Sequence, residues 1–192
     1  MAEPEPPEGE TADDAPFTYE SHLRLDRLLG ALRPITDHPE EHLFITTHHV
    51  VELWMRQILF DGARAIADLD GDMLARGTWL LSRLGAILGL LEAHWPVLET
   101  MSAADFHEFR PALGSASGLQ SRQFREMEVL FGLPEVAGPA YVDRVETAWP
   151  GLVGSHPRTL RRAVLDVFER NGISLAEAYR RRWEEPALFA LA

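Results

Sequence analysis

The chain has 192 residues, enough for one domain with a substantial hydrophobic core. Its 30 acidic and 18 basic side chains give a formal net charge of −12, which argues against general nucleic-acid binding through phosphate neutralisation. The lack of cysteine excludes disulfides, thiolate catalysis and cysteine-ligated metal sites, and it fits a cytoplasmic protein.

Residues 1–16 form an acidic, proline-rich segment for which we predict a disordered tail. After Met1 this segment has no large apolar side chain, so it cannot bury enough surface to offset the entropy of ordering. It also lacks the basic and apolar regions of a secretory signal. No apolar run approaches the roughly 18 residues of a spanning helix, so we expect no membrane contact. Residues 17–192 are predicted to form a single helical domain.

The first helices of that domain are predicted by leucine spacing and by prolines. From Thr18 to Pro34, leucines recur at intervals of three and four, which indicates one amphipathic helix that the proline ends. A long helix is expected from near Pro39 to about Asp68. Its apolar residues cover more than one face, which predicts a central position in the fold.

Helical patterns continue through the rest of the chain. A third helix is expected over about 73–93, with Pro96 stopping it, and a capping box at Ser102 precedes a short helix. Ser117 is predicted to cap the next helix, which ends at Gly132. Prolines and glycines over 133–156 predict an irregular excursion, and helical patterns resume over about 157–170 and from 174. Strand-like alternation is absent from the sequence, so the predicted fold class is all-α.

Two stretches combine an aromatic ring with a polar group one helical turn away. Phe44 and His48 are four residues apart, and so are Phe106 and Arg110. Residues at this spacing share one helix face. Together the two stretches would give a site with an apolar wall, an imidazole and a guanidinium, which suits an aromatic molecule that carries a carboxylate.

Spacing alone leaves other interpretations open. His48 is also explained as a hydrogen-bonded histidine in a helical core, and Arg110 as one half of a structural ion pair. His38 and His42 are four apart, but Pro39 between them marks a helix start, so we predict no metal site there. The stretch GSASG lacks the lysine and the strand–turn–helix context of a phosphate loop.

Three long segments resemble the tryptophan 2,3-dioxygenase family of haem-dependent enzymes. They are TYESHLRLDRLL from Thr18, EEHLFITTHHVVELWMRQIL from Glu40, and DFHEFRPALGSASGLQSRQFREMEVLFG from Asp105. Their order and spacing also resemble those of the family. The resemblance implies an all-α helical bundle of the tryptophan dioxygenase type. Departures occur at His22, His49 and Leu119, where the family usually has an aromatic residue, glutamine and phenylalanine.

The resemblance implies a substrate site. Phe44 matches the phenylalanine that packs on the indole, and His48 matches the catalytic distal histidine near the indole nitrogen. Phe106 matches an aromatic wall position, and Arg110 matches the arginine that pairs with the substrate carboxylate. We also place Thr47, next to His48, among the substrate-binding residues.

The resemblance further implies a haem cofactor and a homotetramer. Ala116, Ser117 and Gly118 match a loop on the distal side of the haem. Tyr19 and Leu23 match an amino-terminal segment that reaches a neighbouring subunit's substrate site.

The last part of the chain departs from the family pattern. In the family, a histidine in a WRxxH helix holds the haem iron, but here Trp183 is followed by two glutamates. We therefore name no metal ligand in this chain. We predict a carboxy-terminally shortened domain that lacks the last helices of the bundle.

The expected function is oxidative opening of the L-tryptophan indole ring to N-formylkynurenine with O2 at haem, in the kynurenine pathway. Two alternatives remain. One is a haem-dependent oxygenase of a modified tryptophan or a tyrosine in specialised metabolism. The other is a non-catalytic helical remnant or subunit that no longer holds haem. The expected partners are L-tryptophan or a related amino acid, O2 and copies of the same chain in a cytoplasmic homo-oligomer, without nucleic acid or membrane.

Overall fold

A computed structural model describes residues 18–174. Within that range the chain forms helices only, so the all-α prediction is confirmed for the part of the protein described. The tail predicted at 1–16 and most of the helical pattern from 174 onward lie outside the described residues. The helices are α1 (Tyr19–Leu23), α2 (Leu25–Gly30), α3 (Pro39–Asp70), α4 (Leu74–Leu98), α5 (Ala103–Phe109), α6 (Arg122–Phe131), α7 (Leu133–Ala137), α8 (Pro139–Ala148) and α9 (Leu160–Arg170). Three short 3₁₀ turns cover Arg110–Leu113, Gly118–Gln120 and Val153–Ser155.

The segment before α3 is two short helices, so the prediction of one continuous helix was wrong. Arg24 adopts a left-handed conformation with φ of 51°, ending α1 and starting α2. A left-handed residue interrupts the regular helical hydrogen-bond ladder. Leucine spacing indicates which side chains share a helix face. It does not reveal a single residue, such as Arg24, whose backbone leaves the helical conformation.

Helix α3 is the centre of the described structure, as predicted. Its start is set by His38, whose side chain accepts a hydrogen bond from the Glu40 N–H, and by Pro39 in the first turn. It packs against α4 along much of its length and also contacts α5, α6 and α9. The main core lies along its second half and combines buried residues of α3, α4, α6 and α9: Met55, Ile58, Leu59, Ala65, Ile66, Leu69, Leu80, Leu84, Ile87, Met127, Leu130, Leu160 and Ala163.

Helix α4 continues through Pro96 to Leu98, so the prediction that this proline ends the helix was wrong. The proline lies in the last turn, where the helix extends only two residues beyond it, and little of the ladder is affected. Leu74–Leu98 is long and apolar enough, by length and composition alone, to cross a membrane, which corrects the expectation that no segment reaches that length. One face of α4, with Leu80, Leu84 and Ile87, is buried in the core.

Residues 133–148 are largely helical, which corrects the predicted irregular excursion. Pro134 and Pro139 lie in the first turns of α7 and α8, where a proline favours a helix start rather than a break. Gly132 and Gly138 take positive φ values of 90° and 80° at the two junctions. The prolines and glycines of this segment therefore lie at the ends of helices and do not indicate irregular structure. A second, smaller core forms around Val129, Tyr141, Val145 and Leu152.

Candidate functional site

Phe44 and His48 lie side by side on the first half of α3. Their ring centroids are 4.2 Å apart, and His48 Nδ1 lies 2.7 Å from the Phe44 carbonyl oxygen. A carbonyl oxygen can only accept, so Nδ1 is the nitrogen that carries the proton. In the neutral ring, Nε2 is then left as a hydrogen-bond acceptor. The ring is therefore held by its own helix through Nδ1, and Nε2 keeps its capacity to accept a hydrogen bond.

Helix α5 brings its aromatic residues onto this part of α3. Ser102 begins the helix by accepting from the Asp105 N–H, as the capping pattern predicted. The Phe106 ring centroid lies 5.9 Å from that of Phe44, and the Phe109 ring lies 5.7 Å from Phe44 and 5.5 Å from Phe106. The two stretches therefore meet through a cluster of three phenylalanine rings, at spacings typical of favourable aromatic contacts.

A cavity of about 360 Å³ opens between α3 and the loop that follows α5. The α3 wall includes Phe44 and His48. The opposite wall is the loop around Gly118, where an added Cβ would lie only 3.6 Å from His48 Nε2. Three loop residues matched to the family's haem side, Ala116, Ser117 and Gly118, all line the cavity.

The cap of α6 differs from the prediction. Ser117 caps the 3₁₀ turn Gly118–Gln120 by accepting from the Leu119 N–H. Ser121, four residues later, caps α6 by accepting from the Phe124 N–H. GSASG thus leads into a separate 3₁₀ turn, Gly118–Gln120, instead of running directly into a helix. Gly132 ends α6, as predicted.

Arg110 lies at the end of α5 but does not line this cavity. Its guanidinium Nη1 donates to the Gly114 carbonyl oxygen over 2.8 Å, which ties the arginine to its own loop. Phe106 also stays behind the cavity wall, in contact with Phe44. The structure therefore brings Phe44, His48 and the loop together directly, and Arg110 only as a neighbour of that loop.

Three further predicted site residues lie elsewhere in the described chain. Thr47 is buried, its hydroxyl donates to the Leu43 carbonyl, and its own carbonyl is 3.2 Å from His94 Nε2 of α4. It therefore faces the α3–α4 contact and not the cavity. Tyr19 and Leu23 in α1 are 74% and 41% exposed and do not line the cavity.

Sequence reasoning missed several residues of the cavity wall. Ile45, His49 and Glu52 extend the α3 wall, and Leu113, Gln120 and Ser121 extend the loop wall. Gln123 Nε2 donates to the Glu52 carboxylate over 2.6 Å and so fixes that side chain against α6. Carrying the spacing of four from His48 one turn further would have pointed to Glu52, because both lie on one helix face.

The loop before α3 is held by a buried carboxylate, Glu41. Its two oxygens accept from the N–H groups of Ile35 and Thr36, each over 2.8 Å, and from the Thr36 hydroxyl. Burial alone raises the pKa of Glu41, but these hydrogen bonds outweigh it and hold the pKa below its ordinary value. Glu41 thus fixes the start of the helix that carries Phe44 and His48.

A haem iron needs a protein ligand such as an imidazole. The loop wall, with Leu113, Ala116, Ser117, Gly118, Gln120 and Ser121, carries no imidazole, and both histidines of the cavity lie on the α3 wall. Within residues 18–174, the cavity lining therefore offers no candidate iron ligand besides these two adjacent imidazoles.

Comparisons with known proteins point to one family. The sequence model of the tryptophan 2,3-dioxygenase family matches residues 7–148. The chain is 40% identical over 119 residues to the tryptophan 2,3-dioxygenase of Caulobacter vibrioides, covering 62% of this chain and 45% of that protein. The corresponding protein of Bordetella parapertussis is 34% identical over 172 residues, 88% of this chain and 61% of the relative. The tryptophan 2,3-dioxygenase of Nocardioides sp. is 44% identical over 142 residues, which cover 71% of this chain and 52% of that protein.

These matches cover most of this chain but a smaller part of each relative. The chain spans between 45% and 61% of the length of the three curated relatives. The family match covers more than half of the chain and contains both stretches that form the cavity. The chain therefore belongs to the tryptophan 2,3-dioxygenase family.

Proposed function

We propose that this chain takes part in oxidative opening of the L-tryptophan indole ring to N-formylkynurenine, with O2 at haem, as a step of tryptophan catabolism through kynurenine. One observation carries the proposal: Phe44 and His48, whose ring centroids lie 4.2 Å apart, line the same cavity in a chain of this family. An indole has a flat apolar face and a single N–H donor, so this pair matches both of its features. We further propose a cytoplasmic homo-oligomer.

Phe44 and His48 orient the indole in this proposal. The Phe44 ring packs on the indole face, with Phe106 and Phe109 behind it as support. His48 Nε2 accepts the hydrogen bond of the indole N–H, because Nδ1 is committed to the Phe44 carbonyl. Fixing the ring in one orientation and excluding water lowers the entropic part of the barrier.

Arg110 is the proposed partner of the substrate carboxylate. Gly114 occupies only one of the five N–H donors of its guanidinium. The others remain suited to a two-point contact with a carboxylate. A carboxylate bound there would lie beside the loop, at the edge of the cavity that takes the ring.

The haem that the family implies would supply the O2-binding iron, and we propose that Ala116, Ser117 and Gly118 face its distal side. The loop wall of the cavity supplies no ligand for that iron within residues 18–174, so the roles we propose for these residues are binding and orienting the substrate. The same observation favours one alternative function, a non-catalytic subunit that keeps the substrate side of the pocket.

The test is to supply the chain with haem, a reductant and O2, add L-tryptophan, and identify products by liquid chromatography and mass spectrometry. N-formylkynurenine in excess of a haem-only control supports the dioxygenase. A hydroxylated amino acid indicates an oxygenase of another type. If tryptophan binds but no product forms, the chain is a binding subunit, and catalysis by this chain is contradicted.

A further inference from the structure

We propose that His38 is a positioning residue that sets how α5 packs on the first half of α3, where Phe44 and His48 lie, by joining the start of α3 to α5. This inference rests on the proposed function only for its effect on tryptophan. The residue lies outside the cavity, six positions before Phe44, and caps the start of α3.

The two ring nitrogens of His38 serve two different helices. Nδ1 accepts from the Glu40 N–H over 3.3 Å and so caps α3. That bond requires an unprotonated Nδ1, which places the proton on Nε2. Nε2 lies 3.3 Å from the Glu108 carboxylate and 3.9 Å from that of Asp105, both on α5. One imidazole therefore connects the helix of Phe44 to the helix of Phe106.

The ring of His38 also packs on the aromatic cluster. Its centroid lies 5.5 Å from that of Phe109, which is 1% exposed and contacts both Phe44 and Phe106. A movement of His38 would be transmitted through Phe109 to Phe44 and Phe106, because packed interiors leave little free space. The side chain of His38 is itself only 16% exposed.

This role depends on the geometry of the contact more than on the strength of the ion pair. The Glu108 side chain is 69% exposed, and ion pairs at such positions add little stability. What the contact does is select one placement of α5 on α3. A variant that keeps the helix cap but lacks the reach to α5 should therefore fold well and bind poorly.

Two substitutions separate capping from positioning. Asparagine caps helices well but is too short to reach Glu108, so His38→Asn should keep the thermal unfolding midpoint close to that of wild type. Its affinity for L-tryptophan, measured by calorimetry on the full chain, should fall about tenfold, since small misplacements at a site have large effects. In His38→Gln the side-chain amide can donate to Glu108, so binding should be largely restored even if the midpoint drops.

Hydrogen exchange gives a second readout that needs no ligand. In His38→Asn the amides of α5 should exchange at least about fivefold faster, while those of α9 stay unchanged. If wild type binds no tryptophan, the proposed function fails, and exchange in α5 alone decides the positioning role. Unchanged α5 exchange in His38→Asn would overturn the proposal. So would affinities that follow the unfolding midpoints of the two variants.

Discussion

The two halves of α3 differ in what surrounds them. From Met55 onward the helix is enclosed by α4, α6 and α9, and Ile58 and Ala65 have no exposed surface. In the first half, Phe44 and His48 are only partly buried and border a cavity of about 360 Å³. One continuous helix thus serves as core element at one end and as binding wall at the other.

This difference shows how the fold keeps an open site in place. A cavity lowers local packing, and ordering its walls must be supported from elsewhere. The enclosed half of α3 provides that support, because a helix held firmly over several turns fixes the direction of its remaining residues. We therefore expect substitutions of buried core residues in the second half to change stability, and substitutions of cavity-lining residues in the first half to change binding.

The largest expected effect is in the enclosed half. Ile58→Ala should lower the free energy of unfolding by about 2–5 kcal/mol, because it removes a fully buried side chain and leaves a cavity. Leu53→Ala, on the same helix but 52% exposed, is the control and should change it by no more than about 0.5 kcal/mol. Urea denaturation measures both. Equal losses would remove the distinction between buried and exposed faces of α3.

A smaller loss is expected at the buried carboxylate of Asp61, which ties α3 to α4. It accepts from Gln57 Nε2 over 2.6 Å, from Arg64 Nη1 over 2.9 Å and from Arg83 Nη1 over 3.2 Å. Asp61→Asn places an amide donor against one of these donors and should reduce stability by about 1–3 kcal/mol. Asp143→Asn, at an exposed position of α8, is the control. If neither substitution changes the free energy of unfolding, the hydrogen bonds of Asp61 do not hold α3 and α4 together.

The start of α3 should make a contribution to stability that depends on pH. The pKa of Glu41 is below its ordinary value of 4.5 in the folded chain, so its contribution is complete above that value and is lost as the pH falls through the folded pKa. Glu41→Gln should reduce stability by about 1 kcal/mol at neutral pH, through weaker hydrogen bonds to the loop. Thermal unfolding at a series of pH values between 7 and 3 measures this. A gap between wild type and variant that stays constant down to the acid end would contradict the assignment.

The smallest expected change in stability, with a clear effect on binding, is at Gly118. An added methyl would lie 3.6 Å from His48 Nε2, an ordinary contact distance that leaves the fold intact but covers the acceptor nitrogen. Gly118→Ala should weaken tryptophan binding by about fivefold, roughly 1 kcal/mol. Gly154→Ala, in another 3₁₀ turn with open space around it, is the matched control. Equal tryptophan affinities in the two variants would show that Gly118 does not lie beside the bound ligand.

Sequence patterns predicted the two halves of α3 with different success. Proline and acidic residues at 39–41 marked the helix start, and apolar residues on several faces indicated a central helix, both as found. The pairing of Phe44 with His48 followed from spacing, because residues four apart must share a face. Local rules were enough wherever one helix determined the outcome.

The sequence could not predict features that depend on contacts between elements. Nothing local indicates that Thr47 faces α4, that Arg110 binds the carbonyl of Gly114, or that His38 reaches α5. The break at Arg24 was missed for a related reason, since a single residue with positive φ leaves the apolar spacing intact. Prolines were misinterpreted at α7 and α8 because the same residue both breaks helices and begins them.

Calorimetric titration of the full chain with L-tryptophan shows whether the first half of α3 forms a wall for an aromatic amino acid. We expect saturable binding at one site per chain, weakened at least about tenfold by Phe44→Ala. Phe60→Ala, on the same helix but 60% exposed, should leave the affinity unchanged. No binding to the wild-type chain, or equal affinities in the two variants, would contradict this expectation.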